Sequence, residues 1–115
     1  EAKGEGMLVE FFKEREMINS RISNPAAFVQ TDYDVLKVSH HGSRNSTSEV
    51  LLSIIKPEYA LISCGRGNSY GHPHVELIER LVKSGSEVYI TYETGAVSLI
   101  TDGLRLRIRR HLKDI

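Results

Sequence analysis

Four of the five histidines of this 115-residue chain fall in two short loops. His40 and His41 open the segment His40-His41-Gly42-Ser43, and His72 and His74 close the segment 65–74, GRGNSYGHPH. Imidazole binds zinc, manganese or iron through a ring nitrogen, and it also titrates near neutral pH. Paired histidines in neighbouring loops can therefore hold a metal or move protons. A single histidine in a turn is more often a local hydrogen-bonding group. Four at the ends of two consecutive predicted strands point instead to a site, because loops carried on a rigid sheet are where sites are built.

Several nearby patterns fail on inspection. His72-Pro73-His74 begins like the metal signature H-x-H-x-D-H, but Val75, Glu76 and Leu77 follow, so the aspartate and last histidine are missing. Val75 is also expected on the apolar face of a helix. Gly65-x-Gly67 after a strand imitates a dinucleotide-binding turn, yet the third glycine position is Tyr70, and Pro73 with two histidines crowds the helix start. Glu93, where that motif would have its acid, reads as a solvated strand-end residue. Asp34 lies six residues before His40 at the other end of a strand, about 20 Å away at strand rise. Ser43 lacks a G-x-S-x-G elbow and reads as a phosphate-binding or turn-stabilising hydroxyl rather than a nucleophile. Cys64, the only cysteine, sits in an apolar run and reads as a small core residue.

The elements that must position these loops follow from periodicity. Residues 1–6 are polar and read as loose. Met7 to Ile18 reads as an amphipathic helix with Met7, Leu8, Phe11, Phe12 and Ile18 on one side, broken at Asn24-Pro25. Residues 34–39 (DVLKVS) predict a strand. Ser46 and Glu49 have capping-box spacing and predict a helix carrying Val50, Leu51, Ile54 and Ile55 inward as far as Pro57. Tyr59 to Cys64 is the next strand; Val75, Ile78, Leu81 and Val82 mark a helix ending at Gly85, and Glu87 to Tyr92 a third strand. Ala96 to Thr101 and Leu104 to Arg110 flank Asp102-Gly103, a hairpin signal. The alternation predicts an α/β fold, a helix-covered sheet with an antiparallel edge. Along 104–110, Leu104, Leu106 and Ile108 face one way and Arg105, Arg107 and Arg109 the other. That row is either the charged side of a protected edge strand or a phosphate-contacting stripe.

Bulk properties narrow the class. Hydrophobic residues make up 40% and charged residues 26%, a globular balance. Fifteen basic residues offset fifteen acidic ones, so net charge gives no argument for nucleic acid. No apolar run approaches the roughly 20 residues of a membrane helix, and no signal peptide is visible.

Residues 34–43 (DVLKVSHHGS) resemble the strand and loop that read D-V-L-K-V-x-H-H-G-S in the metallo-β-lactamase domain of the ComEC competence family and its soluble relatives. Tyr59-Ala-Leu-Ile-Ser63, Asn68-Ser-Tyr-Gly-His-Pro-His74, Val88-Tyr-x-Thr91 and Gly95-Ala96 continue the likeness, which covers about residues 34–101. The family has an αββα sandwich with a two-metal site, usually zinc or manganese, at one edge. Its ligands come from an H-x-H-x-D-H signature, a further histidine, an aspartate in a T-G-D turn and the H-H-G-S loop. Only the last matches here. The opening residues 1–6 (EAKGEG) resemble the segment that follows the T-G-D turn, which implies a C-terminal half of the sandwich, with the remaining ligands upstream in a longer protein.

Carried over residue by residue, the resemblance implies a metal-ligand role for His41 and a substrate-side catalytic role for His40. His72 and His74 border the site as proton carriers or substrate contacts, with Ser43, Asn68 and Tyr70 on the substrate side. The implied activity is a metal-dependent phosphodiesterase of nuclease type, acting on DNA during uptake and inactive in this chain alone. A membrane channel domain is possible in the longer protein, whose location is the bacterial inner membrane or, as in the soluble relatives, solution. The alternative is a catalytically silent DNA- or protein-binding module on the same fold. Strands apolar on both faces also lead us to expect self-association as a homo-oligomer.

Overall fold

Short β-branched runs separated by amphipathic helices make parallel pairing the economical arrangement, since each helix returns the chain to the same sheet end. The computed structural model describes residues 2–19 and 33–112. In it β1 (Val35–Lys37), β2 (Tyr59–Ile62) and β3 (Glu87–Ile90) form a parallel sheet in the order β1-β2-β3. The register sets Leu36 opposite Ala60 and Ala60 opposite Val88. Two helices make the crossovers, α2 (Glu49–Ile55) and α3 (Val75–Lys83), and α1 (Ala2–Asn19) comes before the sheet. A four-residue helix α4 (Thr91–Thr94) follows β3 and leads into the hairpin β4 (Val97–Thr101) and β5 (Leu106–Arg110). The α/β class read from the sequence holds. The hairpin, however, is a separate two-stranded sheet and not the antiparallel edge of the first.

The main core lies between sheet and helices. Val38, Ala60, Ile62, Leu77 and Leu81 are fully buried there, with Leu52, Cys64 and Ile90 beside them. Each large aliphatic side chain removed from water contributes about 2 kcal/mol. A second cluster joins α1 to α2 through Val9, Phe12, Leu51, Ile54 and Ile55.

Several local expectations are corrected. α1 begins at Ala2, inside the stretch read as loose. Its buried side is Val9 and Phe12, whereas Met7, Leu8 and Phe11 are exposed, because a narrow contact with α2 covers only one stripe. The side chain of Ile18 and the break at Asn24-Pro25 lie outside the described residues. The cap of α2 is Ser48, whose hydroxyl accepts from Leu51 N; Ser46 is buried and serves the preceding loop. Val50, Val75 and Val82 are exposed, and Leu77 with Leu81 carries the inner face of α3. Tyr92 and Glu93 belong to α4 and not to the third strand. Among the described residues no helix is long and apolar enough to cross a membrane.

Candidate functional site

The site is built where β1 and β2 end. After Val38, whose amide donates to Leu61 O (2.8 Å), the chain enters a tight turn, His40–Gly42. It carries three successive left-handed residues: His40 (φ 52°), His41 (φ 54°) and Gly42 (φ 83°). Left-handed backbone costs a non-glycine residue about 1 kcal/mol. Local bonds hold it there: Gly42 N to Ser39 O, Ser43 N to His40 O, and the buried Ser46 hydroxyl to the carbonyls of Ser43 (2.8 Å) and Ser39. Gly42 is required on a second count, since a Cβ there would lie 2.6 Å from the Cβ of Pro73. The backbone at His40 and His41 is therefore set by this turn and not by strand alternation.

His41 Nδ1 lies 2.7 Å from the carbonyl oxygen of Ser63, just past β2. A carbonyl only accepts, so Nδ1 carries the hydrogen and Nε2 is the lone-pair nitrogen of the neutral ring. Metal-bound histidines have this arrangement, the second nitrogen anchored on a carbonyl or carboxylate so that ring angle and tautomer are set. The ring faces His72, with centroids 6.4 Å apart. It also lines a cleft of about 480 Å³ with Ser63, Cys64, Arg66, Thr91, Tyr92 and Leu112. A similar cleft of about 490 Å³ lies among Glu49, Leu52, Ser53, Lys56, Arg80, Lys83 and Ser84, with no histidine in its walls.

His74 locks the two loops together. Its amide donates to Gly42 O (2.9 Å), its Nδ1 accepts from the amide of Arg44 (2.8 Å), and its Nε2 faces Tyr70 O at 3.1 Å. Both ring nitrogens are thus used within the loops. His72 lies between the other rings, 4.6 Å from that of His74 and 5.7 Å from that of Tyr70. Tyr70 and His40 are exposed.

Asn68 is the brace of the second loop. Its amide nitrogen donates to Gly65 O (3.0 Å) and His72 O (2.6 Å), and its oxygen accepts from His72 N (2.9 Å). A substrate contact from this amide would have to displace those bonds. The Ser43 hydroxyl accepts from Asn45 N at 3.3 Å, the turn-stabilising role. Cys64 is buried, with its thiol against His72 O, and burial pushes the thiol pKa up. The core reading of this cysteine stands.

Three supporting groups carried no signal in the sequence. Arg80 on α3 donates to the carbonyls of Arg44 (2.6 Å), Ser46 (2.9 Å) and Thr47 (3.2 Å). From the opposite side, the Glu5 carboxylate on α1 accepts from the amides of Thr47 (2.8 Å) and Ser48. Loop 44–48 is thereby clamped by a cation on its carbonyls and an anion on its amides. The third group, Ser63 O, is backbone, which no side-chain pattern reports.

The donor chemistry fits a metal at one coordination position only. Among the described residues no three His, Cys, Asp or Glu side chains converge on a point where an ion could sit. His41 is one oriented ligand, and a structural or catalytic zinc needs at least three protein ligands.

No protein-family model matches the chain, and no solved structure matches it. Among curated proteins it is 40% identical over 94 residues to Recombination protein 2 of Haemophilus influenzae, which covers 80% of this chain and 12% of that protein. It is 41% identical over 64 residues to ComE operon protein 3 of Bacillus subtilis, covering 56% of the chain and 8% of the relative. Competence protein ComA of Neisseria gonorrhoeae is 40% identical over 63 residues, or 55% of the chain and 9% of the relative. The chain thus spans about a tenth of the length of these relatives. Its homologues over this stretch are competence proteins of the ComEC type.

Proposed function

We propose that this chain supplies the last metal ligand and the substrate-side loops of a metal-dependent phosphodiesterase domain acting on DNA in competence uptake. The observation that carries this reading is the hydrogen bond from His41 Nδ1 to Ser63 O, which fixes the ring and leaves Nε2 as its lone-pair nitrogen, the arrangement of a metal-bound histidine. The names of the competence relatives support the biological setting. In this reading the remaining ligands and a second sheet come from other parts of a protein of the relatives' length, completing a metallo-β-lactamase sandwich. Zinc or manganese, bound there, would activate water as the nucleophile. Within the chain, His41 supplies one coordination position, His74 and Arg80 hold the loops in place, and His40, His72 and Tyr70 face the substrate side. A membrane channel domain belongs to the same reading of the longer protein.

The test uses a protein of the relatives' full length and a phosphodiester substrate with zinc or manganese. His41→Ala is expected to lose bound metal and turnover together, whereas His40→Ala keeps its metal and loses turnover. Larger metal loss in His40→Ala would reverse the assignment. Intact turnover in both would overturn the site assignment, and no turnover in the unsubstituted protein would favour the alternative, a catalytically silent DNA- or protein-binding module.

A further inference from the structure

The hairpin holds the strongest charge asymmetry of the chain. Residues 97–112 contain four arginines and one aspartate, while the rest of the sequence holds eleven basic and fourteen acidic residues. Arg105, Arg107 and Arg109 alternate along β5 and its approach, so they share one face, and all three are exposed. Among the described residues no ion pair involves any of them. The acid of the hairpin itself is committed elsewhere: the Asp102 carboxylate accepts from the amides of Leu104 (2.9 Å) and Arg105 (2.8 Å) and so closes the turn. Asp34 and Glu58 line one cleft with Arg105 without an ion pair to it. His111 extends the face, with its ring 2.7 Å from the hydroxyl of Ser98, the residue paired with Arg109.

The row has a direction. β5 runs from the Asp102 turn toward Leu112, whose amide donates to Thr94 O (2.7 Å) and whose side chain packs over Gly95. Leu112 lines the same cleft as His41. From Arg105 to Arg109 the strand advances about 14 Å, with a cation about every 7 Å. Edge protection explains charge on a strand, but it does not explain why the chain runs on from the row, three residues past Arg109, to the cleft of the candidate ligand.

We propose that Arg105, Arg107 and Arg109 form a track that binds the phosphate backbone of a single DNA strand and leads it to the His41 cleft. This rests on the phosphodiesterase reading above and adds where the polymer lies. Guanidinium groups pair well with phosphate oxygens, and such pairing is independent of base sequence and strongly dependent on salt.

Fluorescence anisotropy of a labelled 20-nucleotide single strand, titrated with the whole chain at several salt concentrations, tests it. The triple variant R105Q/R107Q/R109Q is expected to bind at least tenfold more weakly at low salt. Its plot of log affinity against log salt should be shallower by about 2, from about 0.7 for each phosphate that is no longer neutralised. The corresponding triple lysine variant should keep most of the slope, which separates a change of charge from a change of fold. An unchanged slope in the glutamine variant, or equal competition by polyglutamate or anionic vesicles, overturns the track. Lys83→Gln, which removes a cation on α3 away from the hairpin, should bind the strand as the wild type does, and metal binding at His41 is read separately from strand affinity. Failure of the track thus leaves the ligand role of His41 standing, and failure of His41 to take metal leaves the track standing.

Discussion

His74 accepts a hydrogen bond at Nδ1 from the backbone amide of Arg44, 30 residues earlier and 2.8 Å away. Two loops that follow different strands are joined by one ring, which also contacts Tyr70 O through its other nitrogen. Removing the ring leaves the Arg44 amide without this partner, and breaking a hydrogen bond of this kind costs about 1 kcal/mol. His74→Ala should therefore lower the stability measured by chemical denaturation by that amount. Hydrogen exchange should quicken at Arg44 and across 70–74 while the sheet amides stay protected. Unchanged exchange at Arg44 would contradict the lock.

Gly42→Ala should do more damage. The new methyl meets Pro73 at 2.6 Å and must adopt φ 83°. Left-handed strain and overpacking together come to about 3 kcal/mol. Chemical denaturation measures it; a destabilisation below about 1 kcal/mol would mean that the two loops do not touch there.

The alternation of strands and helices was legible because apolar period and turn residues agree, as at Asp102-Gly103 and Lys56-Pro57. The candidate histidines were legible by clustering. The faces of α1 and α3 were not: Met7, Phe11 and Val82 look as apolar as Val9, Phe12 and Leu81, and tertiary packing alone decides which stripe is covered. The same holds for the hairpin, whose strands pair only with each other. Asn68 and Arg80 reveal their work only through backbone partners, which composition does not encode.

Arg80 should be hard to replace. It is the donor to three carbonyls of the loop after His41. Arg80→Met is expected to cost about 2 kcal/mol, since hydrogen bonds from a charged group exceed neutral ones. Arg80→Lys should recover only part, because an ammonium lacks the planar fork. Thermal unfolding of the pair checks this; equal stability of wild type and Arg80→Met would refute the clamp.

Burial raises the Cys64 thiol pKa, with the Asn68 amide opposing more weakly. A folded-state pKa above the unfolded value gives stability that is present below the unfolded pKa and is lost as pH rises through the folded one. Stability should be flat through neutral pH and fall above about pH 9, and Cys64→Ala should remove this contribution. A disulfide-exchange reagent should react with Cys64 only on unfolding. Rapid reaction in the native protein would contradict its burial.

The second face of the parallel sheet carries Tyr59, Leu61 and Tyr89, all half-buried. We propose that this face takes a second sheet in the longer protein, and that in its absence two copies of the chain cover it for each other. Light scattering at micromolar concentration should give a mass above that of one 12.9 kDa chain. A monomer with cooperative unfolding would remove this expectation.

His41 presents Nε2 as a metal ligand: on this the proposed function turns. Long-range proton–nitrogen correlation spectra of the chain, with zinc added stepwise, read each ring nitrogen directly. The neutral His41 ring should be protonated at Nδ1 and bare at Nε2, with its Nε2 resonance shifting before any of His40. A His41 ring protonated at Nε2, or a first response at His40, would contradict the ligand role.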